Sequence, residues 1–154
     1  MKIQRVTEGK KRFLPLLLLA DPDEGMIDKY LEPGQLYAEL EEGEAVCLAV
    51  VLDLGGGDCE LKNLATAENR QNEGRATGML RYLFRLYAAS GYRRMLVGTS
   101  ESGVGFYERL GFVFSHREKD FFVSHYPEPV MENGRRCVDM LYLSRPLTGA
   151  RGEY

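Results

Sequence analysis

Hydrophobic positions recur along this chain with two periods, two in some stretches and about 3.6 in others. Alternation or a short continuous apolar run predicts strands over residues 2–6, 35–41, 45–54, 59–67, 92–98, 112–123 and 136–143. Helical spacing is clearest over 74–90. There Met79, Leu80, Leu83, Phe84 and Tyr87 form one stripe, and Gly91 ends it. Residues 10–20, 26–31 and 104–110 predict three more helices. Asp21-Pro22-Asp23-Glu24-Gly25 breaks the first of these, and Pro33-Gly34 stops the second. Glu42-Gly43 and Gly55-Gly56-Gly57-Asp58 are turns between early strands, and a loop over 126–134 joins the last two. The tail after Pro146, residues 146–154, is expected to fray.

The resulting order, β-α-α-β-β-β-α-β-α-β-β, predicts an α/β (α+β) fold. The central strand–helix–strand crossover makes strand 59–67 parallel to strand 92–98. A chain of 154 residues fits one domain, 1–154, with no repeat. At this length folding buries roughly 68–70% of the unfolded surface.

Charge and composition exclude more than they assign. The net charge is −3 and no dense basic run exists, which argues against nucleic acid as a partner. The mild acidity is compatible with a cationic amine substrate without requiring one. The greasiest run, 13–20, is too short to span a bilayer and contains Pro15. Lys10, Lys11 and Arg12 before it imitate the start of a secretion signal, but no cleavage site follows, so a cytoplasmic protein without membrane attachment is expected. Cys47, Cys59 and Cys137 lie in apolar stretches without metal spacing and read as reduced core residues. His116 and His125 are isolated, so no metal is expected.

The most specific stretch is 59–80, read as a strand, a tight turn with Gln71-x-x-Gly74-x-Ala76, and a helix. Such a turn presents unsatisfied backbone N–H groups at a helix N-terminus carrying roughly +0.5 charge, which suits phosphate. Small residues let a pyrophosphate approach the main chain. The turn resembles the acyl-CoA signature of the GNAT N-acetyltransferase superfamily, Arg/Gln-x-x-Gly-x-Gly/Ala. A second mark of the family, Gly105-Phe106-Tyr107-Glu108-Arg109-Leu110-Gly111-Phe112, follows about thirty residues later. The ending 125–140 resembles that of an uncharacterised bacterial branch. The resemblance implies a mixed, mostly antiparallel sheet whose central parallel pair splays apart, flanked by helices. It also implies acetyl transfer from acetyl-CoA, as co-substrate, to a primary amine on a small molecule or peptide, by direct transfer in a ternary complex. A non-catalytic acyl-CoA-binding or regulatory module on the same fold is the alternative.

The resemblance also distributes roles. Arg70, Gln71, Asn72, Glu73, Gly74, Arg75, Ala76 and Thr77 would hold the pyrophosphate, chiefly through backbone N–H groups, with the Thr77 hydroxyl able to add a bond. Leu64, Ala65 and Thr66 would contact the acetyl and pantetheine groups and polarise the thioester carbonyl. Glu60 stands fourteen residues before Gly74, the offset of the catalytic glutamate in the histone-acetylating branch, and is the candidate base. Its plainer role is an ion pair with Lys62 on the same strand face. Tyr107 is the candidate acid for the departing thiolate, or else a core aromatic. Two positions depart from the family pattern. Glu73 stands where a basic or neutral residue is usual, with Arg70 and Arg75 close enough in sequence to offset it or remain solvated. The Asn expected before helix 104–110 is missing, leaving Ser100 or Ser102 as a substitute or a helix cap. His125-Tyr126 is expected to line the substrate cleft, and a homodimer through the C-terminal strand edge is compatible with the pattern.

Overall fold

The computed structural model describes residues 2–147. Strand β1 (Ile3–Val6) leads through a 3₁₀ turn at 10–13 into α1 (Leu14–Ala20) and α2 (Glu24–Tyr30). Then come β2 (Gln35–Glu41), β3 (Glu44–Gly55) and β4 (Asp58–Thr66), followed by α3 (Arg75–Ala89), β5 (Arg94–Thr99) and α4 (Val104–Arg109). The chain ends with β6 (Val113–Glu118), α5 (Phe121–His125), β7 (Met131–Glu132), β8 (Arg135–Arg136) and β9 (Met140–Pro146). Seven strands make one sheet in the order β1-β2-β3-β4-β5-β9-β6, and β7 pairs with β8 in a separate hairpin. All neighbours in the large sheet are antiparallel except β4 and β5.

Each face of the sheet carries its own core. On one, α3 buries Met79, Leu80, Leu83, Phe84 and Tyr87 against Cys47, Ala49, Val51, Leu61, Met95, Val97 and Leu143. On the other, α1 and α2 bury Leu17, Ile27, Tyr30 and Leu31 against Leu36, Ala38, Leu48, Val50 and Ala65. Each such large side chain contributes roughly 1.5–3 kcal/mol when fully buried, so the faces are held mainly by these stripes.

Local chemistry sets the helix ends. The Asp23 carboxylate accepts the Met26 N–H at 2.9 Å and caps α2. Where α2 ends, Lys10 reaches back from 21 residues away in sequence. Its buried Nζ donates to the carbonyls of Leu31 (3.1 Å), Glu32 (3.1 Å) and Gly34 (2.7 Å). Lys11 pairs with Glu24 and Asp28, and Arg12 donates to the carbonyls of Glu8 and Gly9. The basic triplet is thus built into the fold. Among the described residues no helix is long and apolar enough to cross a membrane.

One irregularity shapes the centre. Val50 faces Asn63 and Val51 faces Leu61, so Lys62 is an extra residue, a β-bulge in β4. Before it Cys59 and Leu61 face α3, whereas after it Asn63 and Ala65 face α1 and α2. The parallel pairing of β4 with β5 runs from Asp58↔Arg94 to Leu61↔Val97 and stops there. Beyond the bulge, residues 62–66 have β3 on one side and an opening on the other.

Three expectations fail near the C-terminus. The strand expected over 112–123 ends at Glu118; Asp120, with φ of 57°, turns the chain into α5. Phe121 and Phe122 there pack with Tyr126 in a satellite cluster around Val130 and Cys137. The strand expected over 136–143 is split between the small hairpin and β9. The expected tail begins too early, because Pro146 pairs with Arg94, and Leu147 is fully buried with its N–H on the Arg93 carbonyl at 2.8 Å. The rest of that tail, 148–154, lies outside the described residues.

Candidate active site

The turn between β4 and α3 is shaped by two left-handed residues, Asn72 (φ 64°) and Gly74 (φ 79°). A Cβ on Gly74 would meet nothing within 4 Å and would project into open space. The first amide of the helix to bond backward is that of Gly78, to the Gly74 carbonyl at 3.0 Å. Among the described residues, the amides of residues 71–77 make no hydrogen bond to the backbone. All of these residues except Glu73 line a cavity of about 330 Å³, together with Arg70, Thr66 and Phe106. Gln71 Nε2 donates to the Thr66 carbonyl at 3.1 Å and fastens the turn to β4. A space bordered by residues with unpaired backbone N–H groups at a helix N-terminus suits a phosphate group.

Ala76 and Phe106 also line a second, larger cavity of about 640 Å³, so the two spaces adjoin. The larger one occupies the opening between β4 and β5. Strand alternation fixes which main-chain groups reach it. The Ala67 N–H bonds to the Val46 carbonyl at 2.9 Å, so Ala65 and Asn63 also direct their amides at β3. The amides of Leu64 and Thr66 then point the other way, into the opening. Of the three residues expected to contact an acyl group, Leu64 and Thr66 present their backbone there, while Ala65 is buried toward α1 and α2.

Glu60 and Tyr107 both line the larger cavity. Glu60 lies two residues before the bulge, with Lys62 Nζ at 3.2 Å from its Oε2, so the expected ion pair is present. Tyr107 packs edge-on against Phe106 and Phe112. Burial alone pushes its hydroxyl well above the ordinary phenol range, and among the described residues no protein group bonds to it. A phenol in such a setting stays protonated and has a proton to give.

Ser100 lies in the same cavity, but its hydroxyl caps no helix. It donates to Glu132 Oε1 at 2.5 Å, and Ser102 donates to the same oxygen at 2.6 Å. Glu132 arrives on the β7–β8 hairpin, whose Asn133 (φ 52°) and Gly134 (φ 77°) form the turn. An Asn-Gly pair between short extended runs is a recognised hairpin signal, and it passed here as loop. The sequence reading also missed a buried polar chain on the far wall. Asn63 Nδ2 donates to the Leu17 carbonyl (3.1 Å) and the Tyr30 hydroxyl (3.1 Å). Tyr30 and Tyr126 each donate to Asp21, both at 2.8 Å. This chain joins α1, α2, β4 and the segment after α5 around the cleft. Tyr126 therefore lines the cleft as expected. His125 stacks on Phe121 and does not line it.

The two arginines flanking the turn are ion-paired, though each stays partly exposed. Arg70 pairs with Glu41 and Glu73, and Arg75 pairs with Glu39, Glu41 and Glu73. All three cysteines are buried, and burial pushes the Cys59 thiol up to about 12 and the Cys137 thiol up to about 11. Among the described residues no three His, Cys, Asp or Glu side chains are grouped to hold a metal ion.

Known proteins share this arrangement. The acetyltransferase (GNAT) domain family matches residues 32–114. An uncharacterized N-acetyltransferase of Bacillus subtilis (strain 168), YvbK, is 30% identical over 146 residues, 93% of this chain and 94% of its own. The crystal structure of a GNAT family acetyltransferase from Elizabethkingia anophelis, with acetyl-CoA bound, is 34% identical. It superposes with a TM-score of 0.88 over 94% of this chain and 97% of its own. A Bacillus subtilis acetyltransferase in complex with CoA is 29% identical, with a TM-score of 0.85 over 94% of this chain and 97% of its own. The phosphate-type turn, the parted parallel strands and these matches agree, and the chain belongs to the GNAT acetyltransferase family.

Proposed function

We propose that this protein transfers an acetyl group from acetyl-CoA to a primary amine, directly and within a ternary complex. The observation that carries this reading is that the turn's cavity adjoins, across Ala76 and Phe106, the opening between β4 and β5 that Glu60 and Tyr107 both line. Relatives with acetyl-CoA or CoA bound support the choice of co-substrate.

Each step falls to a group of this chain. The amides of residues 71–77 hold the pyrophosphate, with the Thr77 hydroxyl beside them. The amide of Leu64 or Thr66 donates to the thioester carbonyl as negative charge develops on its oxygen. One such fixed donor contributes about 3 kcal/mol. Glu60 takes the proton of the incoming ammonium, a step that otherwise costs roughly 4–5 kcal/mol at pH 7 for a lysine-like amine. The amine nitrogen bonds to the acetyl carbon, the carbon–sulfur bond breaks with Tyr107 giving its proton to the departing sulfur, and the second proton shed by the acylated nitrogen restores the phenol. The raised thiol pKa values of Cys59 and Cys137 disfavour thiolates, which supports direct transfer over an acyl-cysteine.

The test is release of free CoA in the presence of acetyl-CoA and a panel of small amines, polyamines and peptides. Acceptor-dependent release with an N-acetyl product in the mass spectrum is the expected result. Micromolar acetyl-CoA binding with no turnover across the panel would favour the acyl-CoA-binding module.

A further inference from the structure

The anion-binding turn carries an anion of its own. Arg70 lies along Glu41, with Nη1 to Oε1 at 2.6 Å and Nη2 to Oε2 at 3.3 Å. Its Nε donates to Glu73 Oε1 at 3.2 Å. Arg75 donates from Nε to the same Glu73 oxygen at 2.8 Å, and from Nη1 to Glu39 and to Glu41, the latter at 2.7 Å. Three carboxylates thus share two guanidinium groups, and the cluster carries a net −1. Both arginines line the 330 Å³ cavity of the turn. An incoming phosphate meets two cations whose charge is more than cancelled.

The three carboxylates are not equivalent. Glu39 is buried on β2, and Glu41 ends that strand, so these two fasten the arginines to the sheet from beneath. Glu73 sits on the turn itself, with 43% of its side chain exposed, and touches only the Nε edges of the two guanidiniums. It stands one residue before Gly74, which lines the cavity, and itself sits at the rim outside the lining. Arg75 and Arg70 hold its carboxyl below the usual range, so it is charged at neutral pH.

We infer that Glu73 is an internal counter-anion that holds down the affinity for acetyl-CoA. It competes with the ligand's phosphates for the positive edges of Arg70 and Arg75, while Glu39 and Glu41 keep those arginines in place. The inference rests on the phosphate-turn reading of the proposed function.

Calorimetric titration with acetyl-CoA tests it, comparing wild type, Glu73→Gln and Glu118→Gln. The last removes an equal charge on β6, the far edge strand. Glu73→Gln is expected to tighten binding about 3–10-fold at low ionic strength, the advantage shrinking as salt is raised. Glu118→Gln is expected to change binding less than about twofold. Acetyl-pantetheine, which lacks the whole 3′-phospho-ADP end with its pyrophosphate, is expected to bind both variants as weakly as it binds wild type; a merely structural effect of Glu73 would alter that residual binding too. Unchanged or weaker acetyl-CoA binding by Glu73→Gln would overturn the inference while leaving the cofactor reading intact. Failure of wild type to bind acetyl-CoA at all would overturn both.

Discussion

At the scale of single residues, environment separates the two proton-transfer candidates. Glu60 keeps a cation beside it, Lys62 at 3.2 Å, whereas the Tyr107 hydroxyl has aromatic neighbours and no protein hydrogen bond among the described residues. The first arrangement places a carboxylate beside a cation on the cavity wall, and the second suits a phenol that stays protonated. Under the proposed mechanism Tyr107→Phe and Glu60→Gln each lower kcat by about 10²-fold or more, with acetyl-CoA affinity changing less than about threefold. Steady-state kinetics paired with calorimetry check this. A Tyr107→Phe enzyme with unchanged kcat would remove that residue as the acid. Both residues were reachable from sequence as candidates, through the family offset to Gly74 and the motif around Tyr107, and both line the larger cavity. The partners of Ser100, Arg70 and Arg75 were not, because Glu132, Glu39 and Glu41 lie about thirty residues away and meet them only through the fold.

At the scale of elements, long periodic segments were legible and local breaks in period were not. The five-residue stripe of α3 and the alternation of β4 follow the side-chain period of their backbone. The bulge at Lys62 leaves no such mark, since one extra residue in an apolar strand keeps its composition while exchanging its faces. Phe121-Phe122-Val123 has strand propensity, yet it forms a helix because the satellite core needs both rings on one side. The opening that houses the candidate site follows from that bulge and from the end of β4–β5 pairing, so its outline was hidden, along with the wall of Asp21, Tyr30, Asn63 and Glu132, although Glu60, Tyr107 and the turn were not. Lys10 shows the same limit. Its buried ammonium serves three carbonyls at the end of α2, where the sequence offered only a basic triplet. Replacing it by Met would strand those carbonyls and is expected to cost about 2–4 kcal/mol, read as a lower urea midpoint at unchanged slope. A loss under about 0.5 kcal/mol would mean that water takes over the cap.

At the scale of the whole molecule, ionisable groups bound the pH range of stability from both sides. Asp139 accepts the Asp120 amide and an Arg117 bond, Asp58 accepts Arg94, and Glu41 and Glu73 accept the two turn arginines. All four carboxyls are held below their ordinary values. Their contribution is complete above the ordinary carboxylate range and is lost as pH falls through the lowered values. Tyr30, Tyr87, Tyr107 and Tyr126 are pushed up by burial. Their contribution is complete below about pH 10 and is lost above it. Urea midpoints should therefore be flat from about pH 5 to 9 and fall on both sides. A midpoint that rose on acidification below about pH 4 would contradict this charge assignment. The central claim is that the turn before α3 holds the phosphates of acetyl-CoA and opens onto the cleft between β4 and β5. Calorimetric titration with acetyl-CoA and with acetyl-pantetheine tests it most directly. The account predicts saturable binding of acetyl-CoA, largely lost with acetyl-pantetheine and weakened in Gly74→Val, whose side chain would enter the cradle at a φ of 79°. Equal affinity for the two ligands, or no acetyl-CoA binding at millimolar concentration, would contradict it.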